Sequence, residues 1–407
     1  MRDEMKKAPR IRFRGFQEDW ELCKLNNIYK KIRNAFVGTA TPYYVKEGNF
    51  YLESNNIKDG NINQNTKVFI NDEFYEKQKD KWLETEDIVM VQSGHVGHTA
   101  VIPKELNNTA AHALIMFQER KRETNPYFLN YQFLTDTSKR KLDMITTGNT
   151  IKHILASEMK SFEVFVCESA EENLISDFFR KLDDTIGLHQ RKLDQLKELK
   201  KAYLQVMFPA KDETVPRMRF AYFEGEWELC KLGDFLIVPP KIKATIDNPS
   251  DLMTVKLNLG GVYSGASRDT LSLGSTIYYK RFSGQFIYGK QNFFNGSMAI
   301  IPKELHGKAT SGDVPSFDII NINKDYLFYF ISRKSYWKSK EVEATGTGSK
   351  RIHEKTLQNF SILVPLKDEQ IRISTFCEKI DDTITLHQNK LNQLKSLKKS
   401  YLQNMFI

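Results

Sequence analysis

The sequence is poor in cysteine, with four in 407 residues: Cys23, Cys167, Cys230 and Cys377. None forms a CxxC pair, which argues against a disulfide framework or a zinc cluster and fits a reducing cytosol. There is no run of about 18 apolar residues, so no membrane span is expected. Met1 to Arg14 is charged and lacks an apolar stretch, so a signal peptide is not expected either. No GxGxxG follows a strand-like run. The GTGSK at Gly346 to Lys350 lacks the spacing of a phosphate-binding loop. Amino-methyltransferases carry an Asn-Pro-Pro-aromatic or Asp-Pro-Pro-aromatic tetrapeptide; Asn125-Pro126-Tyr127 is one proline short of it. No spaced set of Ser, His and Asp announces a hydrolase. Chemistry performed by this chain alone is therefore not expected.

What is present is a duplication. Ile175 to Phe208 returns as Ile373 to Phe406 at an offset of 198, with 24 of 34 positions identical. PRIRFRGFQEDWELCKL (Pro9 to Leu25) returns as PRMRFAYFEGEWELCKL (Pro216 to Leu232), and AVIPKEL (Ala100 to Leu106) as AIIPKEL (Ala299 to Leu305). TTGNTIKHILASEMKSFEVFV (Thr146 to Val166) aligns with ATGTGSKRIHEKTLQNFSILV (Ala344 to Val364). Residues 26 to 99 share little with residues 233 to 298. Two copies have kept one frame and diverged in one compartment. Each half is long enough for its own core, and 40% hydrophobic and 12% aromatic residues describe a globular chain. The net charge of +9 permits a nucleic-acid partner without requiring one.

Each repeated segment reads as a helix with a heptad seam: Phe179, Leu182, Ile186, Leu193, Leu196, Tyr203 and Met207, then Cys377, Ile380, Ile384, Leu391, Leu394, Tyr401 and Met405. Leu188, Leu199, Leu204, Leu386, Leu397 and Leu402 widen the stripe beyond a two-stranded seam. The surplus suits a further protein neighbour, so these six leucines are the expected subunit interface. His189, Lys200, His387 and Lys398 interrupt the seam; polar seam positions fix register, with the lysine stem reaching water. Asp183-Asp184 and Asp381-Asp382 diverge by about 100° on a helix, so each pair is read as a solvated or partner-facing charge pair. A 34-residue helix spans roughly 50 Å, more than the about 34–36 Å between half-sites one turn of B-DNA apart. Such helices are long enough to act as a spacer.

The regions between read as mixed α and β. Strand-like runs are Asp87 to Gln92, Ala100 to Ile102, Met253 to Leu259 and Gln285 to Tyr288. Helices are expected over Pro126 to Leu142 and near Asp325 to Lys340, with Tyr127, Phe128, Tyr131 and Leu134 as a core stripe. Three loops have a composition that suits nucleic acid. Ser93, Gly94, His95 and His98 lie in SGHVGH, where glycines let the backbone approach a partner closely; no second ligand pair follows, so no metal is expected. Lys290, Gln291 and Asn292 are side-chain types that read base edges, or else form an ordinary polar hairpin. The Thr-Gly loops hold Thr147, Asn149, Lys152 and His153 in one half and Thr345, Lys350 and Arg351 in the other; they suit phosphate contact, or else cap a helix.

Two variable regions alternating with two near-identical helices resemble the specificity subunit of a type I restriction–modification system. The carriers are LKELKKAYLQVMF and LKSLKKSYLQNMF, the ATGTGSKR…FSILVPLKDEQ run from Ala344 to Gln370, and the two RF…WELCKL openings. The first half departs from the pattern: Val166-Cys167-Glu168 replaces Val364-Pro365-Leu366, and Glu171-Glu172 replaces Glu369-Gln370, which leaves the first hinge open. The resemblance implies an α+β chain of two mixed α/β target recognition domains separated by two long helices that form an antiparallel coiled coil, with an internal pseudo-two-fold repeat. The expected boundaries are 1–167 for the first recognition domain, 168–208 for its helix, 209–218 for a linker, 219–366 for the second domain and 367–407 for its helix. The implied function is reading a bipartite, asymmetric DNA target in double-stranded DNA, one half-site per domain. The chain itself would be non-catalytic, cytoplasmic and without a bound cofactor. It would place two modification subunits, which methylate adenine N6 with S-adenosylmethionine, and recruit restriction subunits that use ATP and Mg2+. The competing readings are a coiled-coil interaction scaffold without a nucleic-acid role, and a self-sufficient nuclease or methyltransferase.

Overall fold

The computed structural model describes residues 8–148, 152–265, 276–346 and 349–407. The chain divides into two compact units, one made of residues 1–190 with 389–407 and the other of residues 191–388. These units do not follow the expected boundaries, because each cuts across both long helices. Those helices run unbroken over Ser169–Val206 and Lys367–Asn404.

The first unit is built on an antiparallel sheet in the order Tyr29–Asn34, Leu114–Arg120, Ile88–Val91, Thr99–Val101. Ile88-Val89-Met90-Val91 is apolar at every position because the strand is covered on both faces. Ile88 and Met90 point into the main core, while Val89 and Val91 point into a second cluster with Leu52, Ala100 and Met116. A smaller four-stranded sheet holds Ala110–Ala111, Asn49–Leu52, Val68–Ile70 and Tyr44–Val45. The second unit repeats the principle with Leu236–Ile237, Ser316–Ile319, Phe286–Tyr288 and Met298–Ile300. There Phe286 and Tyr288 enter the main core and Ile287 the opposite cluster. Two further strand pairs lie in this unit, Met253–Val255 with Val262–Ser264 and Tyr278–Lys280 with Ala309–Ser311.

The expected helix over Pro126 to Leu142 is two helices, Pro126–Phe133 and Asp136–Ile145. Asn125 caps the first through its side chain; Thr135, in extended conformation, breaks the run and caps the second. Arg333 plays the breaking role between Lys324–Ser332 and Lys334–Ser339. The aromatic stripe is core, as its spacing implies: Phe128, Tyr131 and Leu134 are buried.

The repeated opening strips have a structural reason. Glu21–Lys24 pairs antiparallel with Glu163–Val166, and Glu228–Lys231 with Ser361–Val364. Arg12 forks onto the buried Glu171 (2.6 and 2.8 Å), and Arg219 onto Glu369 (2.7 and 2.8 Å). A bidentate arginine satisfies both carboxylate oxygens, which makes burial of the charge tolerable.

The hinges differ by one compensated exchange. In the first unit the Cys167 N–H donates to Glu172 Oε1 (3.2 Å), and the Asn125 N–H to Oε2 (2.8 Å). In the second unit Pro365 has no N–H. Gln370 instead donates through Nε2 to the Pro365 carbonyl (2.9 Å) and accepts from the Asn323 N–H (2.9 Å). The Cys-Glu and Pro-Gln pairs are alternative solutions to one hydrogen-bonding problem.

Each unit also packs the start of one long helix against the end of the other. In the first, Phe178 meets Tyr401 edge-on (5.0 Å) and Asp183 pairs with Lys398 (2.5 Å). In the second, Tyr203 meets Phe376 (4.9 Å) and Lys200 pairs with Asp381 (2.6 Å). Rising numbers on one segment meet falling numbers on the other, so the packed segments are antiparallel. Tyr131 and Tyr329 complete the pattern, each donating its hydroxyl to the aspartate at 2.9 Å. This corrects the reading of Asp183 and Asp381 as solvated or partner-facing charges, since each pairs with a lysine of this chain's other long helix. It also corrects that of Lys200 and Lys398 as lysines reaching water, because each ammonium is held by a carboxylate. Burial and the neighbouring aspartate charge raise the pKa of both tyrosines, which keeps them protonated as donors.

Candidate nucleic-acid interface

The loops with nucleic-acid character are brought together, by the same stitching in both units. Thr147 and His153 exchange backbone hydrogen bonds (2.9 and 2.8 Å), closing the Thr-Gly loop as a hairpin. Thr345 and Arg351 do so in the other half (3.0 and 2.8 Å). Glycine follows the threonine because the turn demands positive φ: 99° at Gly148 and 116° at Gly346. A Cβ at Gly346 would lie 2.6 Å from the Ser349 carbonyl oxygen. An acid from the preceding turn reaches the loop lysine in each unit, Asp143 to Lys152 (3.4 Å) and Glu341 to Lys350 (3.3 Å).

Each hairpin is sewn to the other candidate loop. In the first unit the Gly94 N–H donates to the Lys152 carbonyl (3.2 Å) and the Ile154 N–H to Gln92 (3.0 Å). In the second the Ile352 N–H donates to the Lys290 carbonyl (2.9 Å). Ser93, Gly94, His95, His98, Thr147, Lys152 and His153 thus form one surface. Lys290, Gln291, Asn292, Thr345, Lys350 and Arg351 form its counterpart. Asn149 lies outside the described residues.

Exposure separates these residues. Gly94, His95, Thr147, Lys152, Gln291, Thr345 and Lys350 are exposed. His98 is half-buried and accepts the Asp59 N–H at Nδ1 (3.2 Å). Burial lowers its pKa first, helped by the charges of His95, Lys139 and Lys58, with Asp59 opposing. The ring is therefore a neutral member of a basic surface that includes Lys58 and Lys139. Lys290 departs from its expected role. Its side chain is only 13% exposed and its ammonium pairs with Glu354 at 3.0 Å, so it is not free to read a base. Asn292 is committed to its own turn, accepting from the Asn295 side chain. Of that trio, Gln291 alone is exposed. Arg351 is shared with Asp313 (3.0 Å). Lys58 and Lys139 escaped the sequence reading because they converge on the histidines only in three dimensions.

The leucines also divide. Leu188, Leu386, Leu199 and Leu397 are exposed, at 60, 68, 44 and 44%. Leu402 is buried in the first unit's core and Leu204 packs against the second unit's, because both lie in the helix ends that those cores absorb. These two face inward rather than toward a further subunit. Among the described residues there is no cluster of three or more His, Cys, Asp or Glu able to hold a metal, and no helix is long and apolar enough to cross a membrane.

Two equivalent surfaces, carried on two equivalent frames and differing in side chains, define a tandem recognition protein. The chain belongs to the family of type I restriction modification DNA specificity domains, whose pattern matches residues 17–198 and again residues 224–396. It is similar to a putative type I restriction enzyme specificity subunit, MjaX, of Methanocaldococcus jannaschii, with 22% identity covering 95% of this chain and 92% of the relative. A second specificity subunit of that organism, MjaVIII, is 18% identical over 95% of this chain and 91% of its own length. In fold it resembles the crystal structure of a type I restriction–modification S subunit from M. genitalium, with a TM-score of 0.65, 12% identity and coverage of 98% and 99%.

Proposed function

We propose that the chain is the DNA-specificity subunit of a type I restriction–modification complex, in which each unit reads one half of a bipartite, asymmetric target. The observation that carries this reading is the pair of stitched loop surfaces. Their backbone, threonine and loop lysine are shared, and their remaining exposed side chains are not: His95 in one, Gln291 in the other. A common frame with different side chains suits two different half-sites. The unbroken long helices suit a fixed interval between reading surfaces. The exposed Leu188, Leu199, Leu386 and Leu397 suit docking of two modification subunits, apolar surface otherwise left in water. Adenine-N6 methylation with S-adenosylmethionine, and ATP- and Mg2+-dependent translocation and cleavage, belong in this reading to the modification and restriction subunits. The chain itself would be non-catalytic and would act in the cytoplasm.

The test is methylome sequencing of cells that express the chain with its modification subunit. A single bipartite motif with unlike halves and a constant unread gap is the expected result. Absence of any bipartite methyl-adenine motif refutes the proposal.

A further inference from the structure

Met144 is 77% exposed and Val342 86%. Scattered exposed apolar residues are ordinary. These two are not scattered: 144 plus 198 is 342, so they occupy one position of the repeat. Each stands three residues before the threonine that closes its Thr-Gly hairpin. Each follows by one residue the acid that holds the loop lysine, Asp143 or Glu341. Each has a cation four residues earlier, Arg140 or Lys338. In the helix Asp136–Ile145 that spacing puts Arg140 and Met144 on one face. The cation, the acid and the apolar residue all change identity between the copies, yet the arrangement of cation, acid, apolar residue and hairpin is kept.

The acid–lysine bridge ties the hairpin to this turn, so the apolar side chain is carried at a set place beside the loop. Arg140 donates Nε to the Asp136 carbonyl (3.3 Å), and Lys338 is shared with Glu341 (3.7 Å) while its side chain stays 57% exposed. An apolar group in water beside such a cation fits a polyanion that also offers apolar surface. Duplex DNA offers both: phosphates for the cation, and the thymine methyl or an opened base step for the side chain. We propose that Met144 and Val342 contact bases, one in each half-site, with Arg140 and Lys338 on the neighbouring phosphates. This rests on the DNA-specificity reading.

The experiment uses the full chain in complex with its modification subunit, on duplexes carrying the motif that the methylome defines. M144A and V342A are each expected to weaken binding by about three- to tenfold, from loss of part of a buried side chain. Each should relax its own half-site and leave the other unchanged. R140A and K338A should instead lower the salt slope by about one and leave the motif intact. All four side chains lie on the surface, and unchanged thermal unfolding confirms that the variants fold. Wild-type affinity and motif in both apolar variants overturn the inference while the DNA reading stands. Loss of modification-subunit assembly with unaltered half-sites also overturns it, and assigns the residues to a protein contact. If the wild-type complex has no bipartite motif, the DNA reading fails and this inference falls with it.

Discussion

Replacing Glu172 by glutamine tests whether the two hinges are alternative solutions. Burial dominates the Glu172 environment and pushes its pKa from 4.5 up to about 7, with the Asn125 and Cys167 N–H groups opposing. At about 1.4 kcal/mol per pH unit, this corresponds to about 3 kcal/mol against the charged form. The folded state therefore holds the proton more tightly than the unfolded one. The resulting stability is present below pH 4.5, and is lost as the pH rises through about 7. Glutamine removes that dependence. It also leaves the Cys167 N–H without an acceptor if Nε2 turns to the carbonyl, as Gln370 does. An orphaned buried N–H costs about 1–3 kcal/mol. At pH 5, E172Q should therefore destabilise by about that amount. At pH 8 the two effects should nearly cancel. Adding Cys167→Pro deletes the orphaned donor and copies the second hinge. The double variant should match wild type at pH 5 and exceed it by about 1–3 kcal/mol at pH 8. Calorimetric unfolding of the full chain at the two pH values compares the three proteins. A wild-type stability that is flat between pH 5 and 8, or E172Q and double variants that unfold alike, would refute the equivalence of the two hinges.

Two further predictions concern ion pairs. Asp183→Lys or Lys398→Asp alone should cost about 3–5 kcal/mol, because each strands the partner charge of a pair whose side chains are only 18 and 14% exposed; the swapped double variant should recover a substantial part. The more exposed Lys200–Asp381 pair should cost about 1 kcal/mol in the same thermal assay. Lys290→Ala should lower the stability of the second unit by about 1 kcal/mol through Glu354 without altering the methylated motif, whereas Gln291→Ala should relax the second half-site. Methylome sequencing separates the two outcomes.

The repeat frame was legible because duplication is a one-dimensional signal. The helices at Ser169 and Lys367 and the core stripe at Phe128 and Tyr131 follow from periodicity, and the strand at Ile88–Val91 from a short unbroken apolar run. What sequence could not show depends on partners far away along the chain. Asp183 looks like one of two adjacent surface carboxylates until Lys398, 215 residues on, closes against it. Lys290 reads as a base-contacting side chain until Glu354 claims it. The break at Thr135 was hidden because the apolar stripe carries on past it while the backbone does not. The loops were readable as polar and glycine-rich, but their stitching runs through backbone atoms, which no side-chain pattern reports.

Leu402, Met405 and Phe406 are part of the first unit's core, with Phe406 touching Trp20, Phe128 and Phe179. This has a kinetic consequence during synthesis. When residue 190 leaves the ribosome, the first unit still lacks residues 389–407. At about 5–20 residues per second, roughly 10–40 s pass before they arrive. Throughout that interval the nascent chain shows the apolar socket that Phe406 will fill, while residues 191–388 can complete their own unit sooner. The part of the protein made first is thus the last to close, and its waiting socket is where a chaperone that holds nascent chains has most to do.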